Sequence, residues 1–273
     1  MAHSIDPATG AVRGFVPARN DEERYLMRHI EDLADAAFSR GIARYSAFLS
    51  DREQDLARAA LGRAGVRDGW RLDGGWPEAE RRVLCLEPEY SYGECPVRCV
   101  QLQCRALPGA VLPAHKDYLG SLMGLALKRE ALGDILLPVD APGTAYVFAL
   151  EPAAKLICRE LCQAGRTEVS TRLLEPEEIP AFPAPERQLL TATVSSLRLD
   201  AVCSTGFRMA RGKAVDMISS GHVQVNWRPC TKADKLLREG DTVSARGFGK
   251  FQLAAVGGVT KKGRTAIVVK RYI

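Results

Sequence analysis

Residues 197–253 read LRLDAVCSTGFRMARGKAVDMISSGHVQVNWRPCTKADKLLREGDTVSARGFGKFQL. Two short helical patterns come first. Ser196 is the expected N-cap of the first, with Asp200 in its opening turn, where a carboxylate suits the helix dipole. The second pattern spans Arg211 to Ser220, with Ala214, Val215 and Ile218 on one face. Gly221 follows at the position where a left-handed residue closes a helix. His222 to Asn226 alternates as a half-buried strand, and Gly240-Asp241 marks a turn before another strand, Thr242 to Arg246. Arg208, Arg211 and Lys213 crowd the start of the second helix. Cations are disfavoured at that pole by about 0.3–1 kcal/mol each. A phosphate on the free helix N–H groups and the two arginines removes the conflict. The alternative is a solvated basic face. On the anion reading, neutralising these cations is expected to leave the domain folded and to relieve the dipole conflict.

The stretch resembles the S4-type (αL) RNA-binding domain. The matching residues are Arg198-Leu199-Asp200, Arg208, Arg211, Gly221-His222-Val223, Val225-Asn226 and Gly240-Asp241. Ala210 departs from it, standing where a Ser usually precedes the arginine. Trp227 after the Asn, and Arg246-Gly247-Phe248-Gly249 after the last strand, are similar to one bacterial subfamily, the YlmH-type S4 proteins. That resemblance implies an RNA-binding protein acting on structured rRNA or tRNA at the large ribosomal subunit, with a role in ribosome-associated quality control. It also carries an association with cell division.

A chain of 273 residues has room for two or three small domains. Its hydrophobic (46%) and charged (26%) fractions are those of a soluble globular protein. No apolar run of membrane-spanning length occurs, and the first residues lack the pattern of a signal peptide. A cytoplasmic monomer without membrane contact is expected. The net charge of +5 conceals an asymmetry. Residues 195–273 hold 15 Lys and Arg against 5 Asp and Glu, while residues 1–194 carry a net −5. A basic C-terminal part on an acidic remainder points to a polyanion partner.

Outward from the basic stretch, residues 188–273 form the expected S4-type domain. Gln252 to Val256 and Thr265 to Tyr272 read as further strands, joined by a basic loop that is expected to flank the helix site. Residues 176–187 hold Pro176, Pro180, Pro183 and Pro185, a semi-rigid linker. Residues 76–175 run strands, helix, two strands, helix, strand, which suits an α+β sandwich of the ferredoxin-like, split βαβ kind; the resemblance to the YlmH-type proteins implies an RRM-like domain here. The strands are Arg82 to Leu86, Val97 to Ala106, Gly133 to Leu137, Thr144 to Leu150 and Thr167 to Leu174. The helices are Ala114 to Leu127, with Leu122 and Met123 in its core, and one opened by Pro152 that ends near Gln163. Tyr146 and Phe148 share one strand face, as a stacking platform for bases or as core. The run His115 to Leu125, then Lys128-Arg129-Glu130 and Gly133-Asp134-Ile135, is similar to the central signature of the YlmH-type proteins. Residues 1–75 read as a helical unit, with helices over Asp21 to Ser39 and from Asp51, capped by Ser50, to Ala64. The whole is α+β.

Enzyme signals are sparse. Arg198-Leu199-Asp200 matches in letters the R-L-D of pseudouridine synthases, but here it lies inside the small binding fold, where Asp200 serves a helix start or an arginine. No glycine-rich cofactor loop, P-loop or Ser–His–Asp set is evident. The eight cysteines read as buried reduced thiols. Cys95, Cys99 and Cys104 lack a C-x-x-C pair and a neighbouring histidine, so no metal or cofactor is expected. The expected RNA-contacting residues are Arg198, Arg208, Arg211, Lys213, His222, Asn226, Lys232, Arg246, Lys261, Lys262 and Arg264. A second surface comprises His115, Lys128 and Arg129. The rival readings are an RNA-modifying enzyme of the pseudouridine synthase type with an S4-type targeting domain, and a cell-division adaptor.

Overall fold

Three acidic residues, Asp21-Glu22-Glu23, open the first helix, α1 (Asp21–Arg40), and Asn20 caps it by accepting the Glu23 N–H at 2.8 Å. The computed structural model describes residues 18, 20–105, 111–184, 187–226, 228–260 and 263–272. Pro185, Trp227, Lys261 and Lys262 lie outside these. Two compact units divide between Phe182 and Pro183.

In the N-terminal unit, β1 (Arg44–Leu49) follows α1 directly, and α2 (Asp51–Arg63) follows at once. Ser50 donates its N–H and hydroxyl to Glu53 at the start of α2. The segment expected to be purely helical also carries a sheet. β2 (Trp70–Asp73) and β3 (Arg82–Leu86) join β1 in the antiparallel order β1-β3-β2. The central strand of that sheet therefore lies beyond the boundary expected at residue 75. One face of it packs on α1 and α2 through Leu49, Leu84 and Leu86.

The next elements are β4 (Val97–Cys104), α3 (His115–Gly124), β5 (Leu132–Leu136), β6 (Thr144–Leu150), α4 (Glu151–Glu160), β7 (Gln163–Ala164) and β8 (Thr167–Leu174). Their sheet runs β5-β6-β4-β8-β7, antiparallel throughout. Apart from the short β7, this is the split βαβ order of a ferredoxin-like sheet. Strand alternation sends Val100, Leu102, Val147 and Ala149 toward α3 and α4, with Tyr118, Leu122 and Ile157. Met123, expected in this core, is exposed instead, because α3 ends one residue later.

The opposite face is also buried. Cys99, Tyr146 and Phe148 meet Phe48, Val83 and Cys85 of the first sheet. Phe182 adds edge-to-face contacts at 5.0 Å to Tyr146, 6.1 Å to Phe148 and 5.9 Å to Trp76. Part of the stretch read as linker is thus ordered. A 3-10 turn at Pro176–Glu178 leads into the segment that carries Phe182.

The two sheets are pinned at one corner. Asp134 accepts Trp76 Nε1 at 3.0 Å, the Glu80 N–H at 2.8 Å and the Arg81 N–H at 3.1 Å. Arg81 in turn donates to the carbonyls of Leu132 and Phe48. Gly133 leaves room for this approach, since a Cβ there would stand 2.6 Å from Phe48 Cε1.

The C-terminal unit consists of β9 (Arg187–Val194), α5 (Leu199–Gly206), α6 (Arg211–Ser219), β10 (Val223–Val225), β11 (Arg228–Pro229), β12 (Thr242–Ala245), β13 (Gly249–Val259) and β14 (Thr265–Tyr272). Its sheet runs β11-β10-β12-β13-β14-β9. One core holds it together, built from Val202, Phe207, Ile218, Val243, Phe251 and Val269 among others. Gly221 takes the left-handed conformation expected after α6, at φ 75°.

Candidate nucleic-acid interface

The first helix of the basic stretch starts later than the sequence pattern suggests. Arg198, not Ser196, is the N-cap of α5. The first amides of α5 find backbone partners instead: Leu199 N–H donates to Lys235 O at 2.7 Å, and Asp200 N–H to Ala233 O at 3.0 Å. Asp200 is 3% exposed. Its carboxylate takes Arg198 Nε at 3.2 Å and Arg211 Nη2 at 2.9 Å, and also accepts the Ala201 N–H at 2.8 Å. Burial raises the Asp200 pKa, but the two guanidinium groups outweigh burial and hold it below the usual carboxylate range.

This arrangement corrects the account of the helix conflict. Arg211 does sit at the N-terminus of α6, where its charge is unfavourable. Its guanidinium, however, reaches back to a buried carboxylate of α5. The conflict is offset inside the protein, and removing Arg211 deprives Asp200 of a partner. Arg198 and Arg211 keep 40% and 49% of their side chains exposed, so both can still face a ligand.

Arg208 sits in the turn between the helices with φ 53°, a left-handed conformation that non-glycine residues rarely adopt. The turn is fixed by Arg208 N–H to Thr205 O, Met209 N–H to Ser204 O, and Ser204 Oγ to Met209 O. The Arg208 side chain is exposed and has no partner among the described residues. Lys213, on the first turn of α6, lies over the Phe248 ring at 4.9 Å. Ala210 at the N-cap supplies no side-chain cap, so the first amides of α6 are left to solvent or an anion.

His222 and Arg246 are brought together by the β10–β12 pairing. Arg246 N–H donates to His222 O at 3.1 Å, and both side chains are exposed. Lys232 is exposed as well. Asn226 has a different task. At φ 50°, it donates Nδ2 to Asp241 at 2.8 Å and accepts the Thr242 N–H at 2.9 Å, which closes the turn into β12.

The described residues next to the β13–β14 loop, Thr260 and Arg264, lie away from the Lys213–Phe248 contact. Lys250 pairs with Tyr272 and Val259 with Thr265, so Thr260 and Arg264 stand at the other end of the hairpin, while Lys261 and Lys262 lie outside the described residues. The eleven residues of β13 separate the two ends by ten steps, up to about 34 Å at ~3.4 Å per residue. Arg264 is held there by Thr193 through Nε at 3.0 Å and through the Thr193 carbonyl.

In the N-terminal unit, the expected second surface is reduced. Arg129 donates to the carbonyls of Leu132 and Gly133, and burial lowers its pKa. Its side chain braces the turn into β5, and its carbonyl accepts from Arg81 at 3.4 Å. His115 and Lys128 remain exposed. Tyr146 and Phe148 are core, so the sheet face on which RRM-type domains stack bases is covered.

A two-helix turn with a buried acid–arginine bridge, backed by a strand pair and carrying cations on its open side, defines an S4-type module. The S4 domain family model matches residues 197–243, which is this module. Over 225 residues the chain is 34% identical to the ribosome-associated protein quality control protein P2 of Bacillus subtilis (strain 168), covering 82% of this chain and 85% of that protein. The chain therefore belongs to the family of that protein, the YlmH-type S4-domain proteins. Among solved structures, the cell division protein ylmH from Streptococcus pneumoniae aligns with a TM-score of 0.47 at 17% identity, over 60% of this chain and 98% of that one.

Proposed function

We propose that this chain binds structured rRNA or tRNA on the large ribosomal subunit through its C-terminal unit, and that it serves ribosome-associated quality control. The observation that carries the reading is the cationic group at the α5–α6 turn. Arg198 and Arg211 are braced by buried Asp200, Arg208 is free on a fixed turn, and Lys213 is set over Phe248. Cations fixed by the fold lose little freedom when they meet phosphates. The name of the Bacillus relative supports the ribosomal setting. Binding without chemistry is favoured by Asp200 itself. Its carboxylate is buried and bonded to two arginines, a poor state for the nucleophile of a pseudouridine synthase.

The test is a salt titration of RNA binding by the full chain, with the RNA identified by crosslinking and sequencing. Roughly four phosphate contacts give a log–log slope of about −3 to −4. Arg208→Ala should weaken binding and reduce the slope by about 0.7–0.9, one contact, with no change in sequence preference. Binding of the Arg208→Ala and Lys213→Ala variants with the wild-type slope, or crosslinks outside ribosomal RNA and tRNA, defeats the proposal. A new nucleoside in treated RNA that disappears in Asp200→Asn transfers the case to the enzyme reading.

A further inference from the structure

Asp73 on β2, Cys85 on β3 and Cys95 in the loop before β4 lie 12 and 10 positions apart in sequence. In the fold their ligand atoms all stand within 4.8 Å of one another. Cys85 is fully buried, while Cys95 and Asp73 are half-buried. We propose that these three side chains form a binding site for a thiophilic divalent cation of the zinc type, which ties the N-terminal sheet to the start of the central one.

The donor set fits that ion. Two thiolates and one carboxylate suit zinc, whose ligands are sulfur, nitrogen and carboxylate oxygen, whereas the oxygen ligand speaks against the softer Cu(I). The surroundings resemble the outer ligands of metal sites. Asp73 is oriented by Arg71 and by the Gly75 N–H at 2.9 Å, and Arg71 is itself held by Glu87 at 3.0 and 3.1 Å. A dication on two thiolates and one carboxylate carries a single negative charge, which lies beside the Arg71 guanidinium. The phenol oxygen of Tyr45 is buried without a partner among the described residues. Tyr45 stands opposite Cys85 in the β1–β3 register, and its oxygen lies against Gly93, two residues before Cys95. This phenol or a water molecule would complete the fourth position.

Cys85 and Cys95 share a hydrogen bond, and Cys95 also takes one from the Val97 N–H, so the two sulfurs already face each other. Metal binding releases both thiol protons to solvent and moves no electrons. No C-x-x-C spacing announces the site, because its ligands come from two strands and a loop that only the fold brings together.

Zinc(II) and cobalt(II) are the probes, added to the full chain after chelation under reducing conditions. The chain should retain one equivalent of zinc. Its cobalt form should show a near-ultraviolet thiolate-to-metal band that is lost in Cys95→Ser. In the unaltered chain, zinc should stop alkylation of Cys95 while exposed Cys162 reacts at an unchanged rate. The footprint needs no variant, so a Cys95→Ser protein that fails to fold leaves the question decidable. Alkylation of Cys95 at the same rate with and without zinc overturns the proposal, as does a cobalt band undiminished in a folded Cys95→Ser. A pair that responds only to peroxide, by forming a disulfide, does so too.

Discussion

Asp200 is the residue on which the cationic surface depends, and its partners make distinct predictions. Arg211→Ala removes one charged hydrogen-bond partner from a buried carboxylate, so the C-terminal unit should lose about 1–2 kcal/mol in a denaturant titration. Arg208→Ala, by contrast, removes no side-chain bond among the described residues and should not destabilise the unit. Equal stability losses in the two variants would refute this division of roles. The sign of the pH dependence follows from the lowered Asp200 pKa. Its contribution is present above the unfolded carboxylate value of about 3.9 and is lost as pH falls through the folded value. Wild type and Asp200→Asn should therefore differ in stability near neutrality, with the difference beginning to shrink as pH falls below about 4 and vanishing only below the folded value. Sequence alone places Asp200 at a helix start or an arginine. It does not reveal that one carboxylate serves two arginines 13 positions apart, because the α5–α6 turn has to fold before they meet.

At the scale of elements, the helices and the strands Thr144–Leu150, Thr167–Leu174 and Thr265–Tyr272 are legible from periodicity. β1 and β2 are not. Arg44–Leu49 is six residues squeezed between two helices, and Trp70–Asp73 is only four. Such runs are too short for alternation to stand out from a helical pattern. The run Gly133-Asp134-Ile135 is legible as a signature but not as a staple, since its partners lie more than fifty residues away. Its role is testable. Gly133→Ala drives a methyl into fully buried Phe48 and should cost about 1–3 kcal/mol, read as a lower thermal midpoint of the N-terminal unit. An unchanged midpoint would mean that the two sheets can separate at this corner without loss.

For the whole molecule, the division after Phe182 predicts two unfolding transitions in calorimetry. Substitutions at Gly133 should move one of them and substitutions at Asp200 the other. A single transition shifted by both would contradict two independent cores. Charge asymmetry makes a basic C-terminal part legible in the sequence, but the burial of both faces of the central sheet is not, because Tyr146 and Phe148 alternate in the same way whether they stack bases or seal a core. That sealing has a consequence for the nascent chain. Synthesis proceeds from the N-terminus, so Phe182 is the last residue of its unit to leave the exit tunnel. Until it does, Trp76, Tyr146 and Phe148 lack the ring that packs on all three. A chain stalled before Phe182 has cleared the tunnel therefore offers chaperones an aromatic patch that the finished protein hides, and further elongation withdraws it.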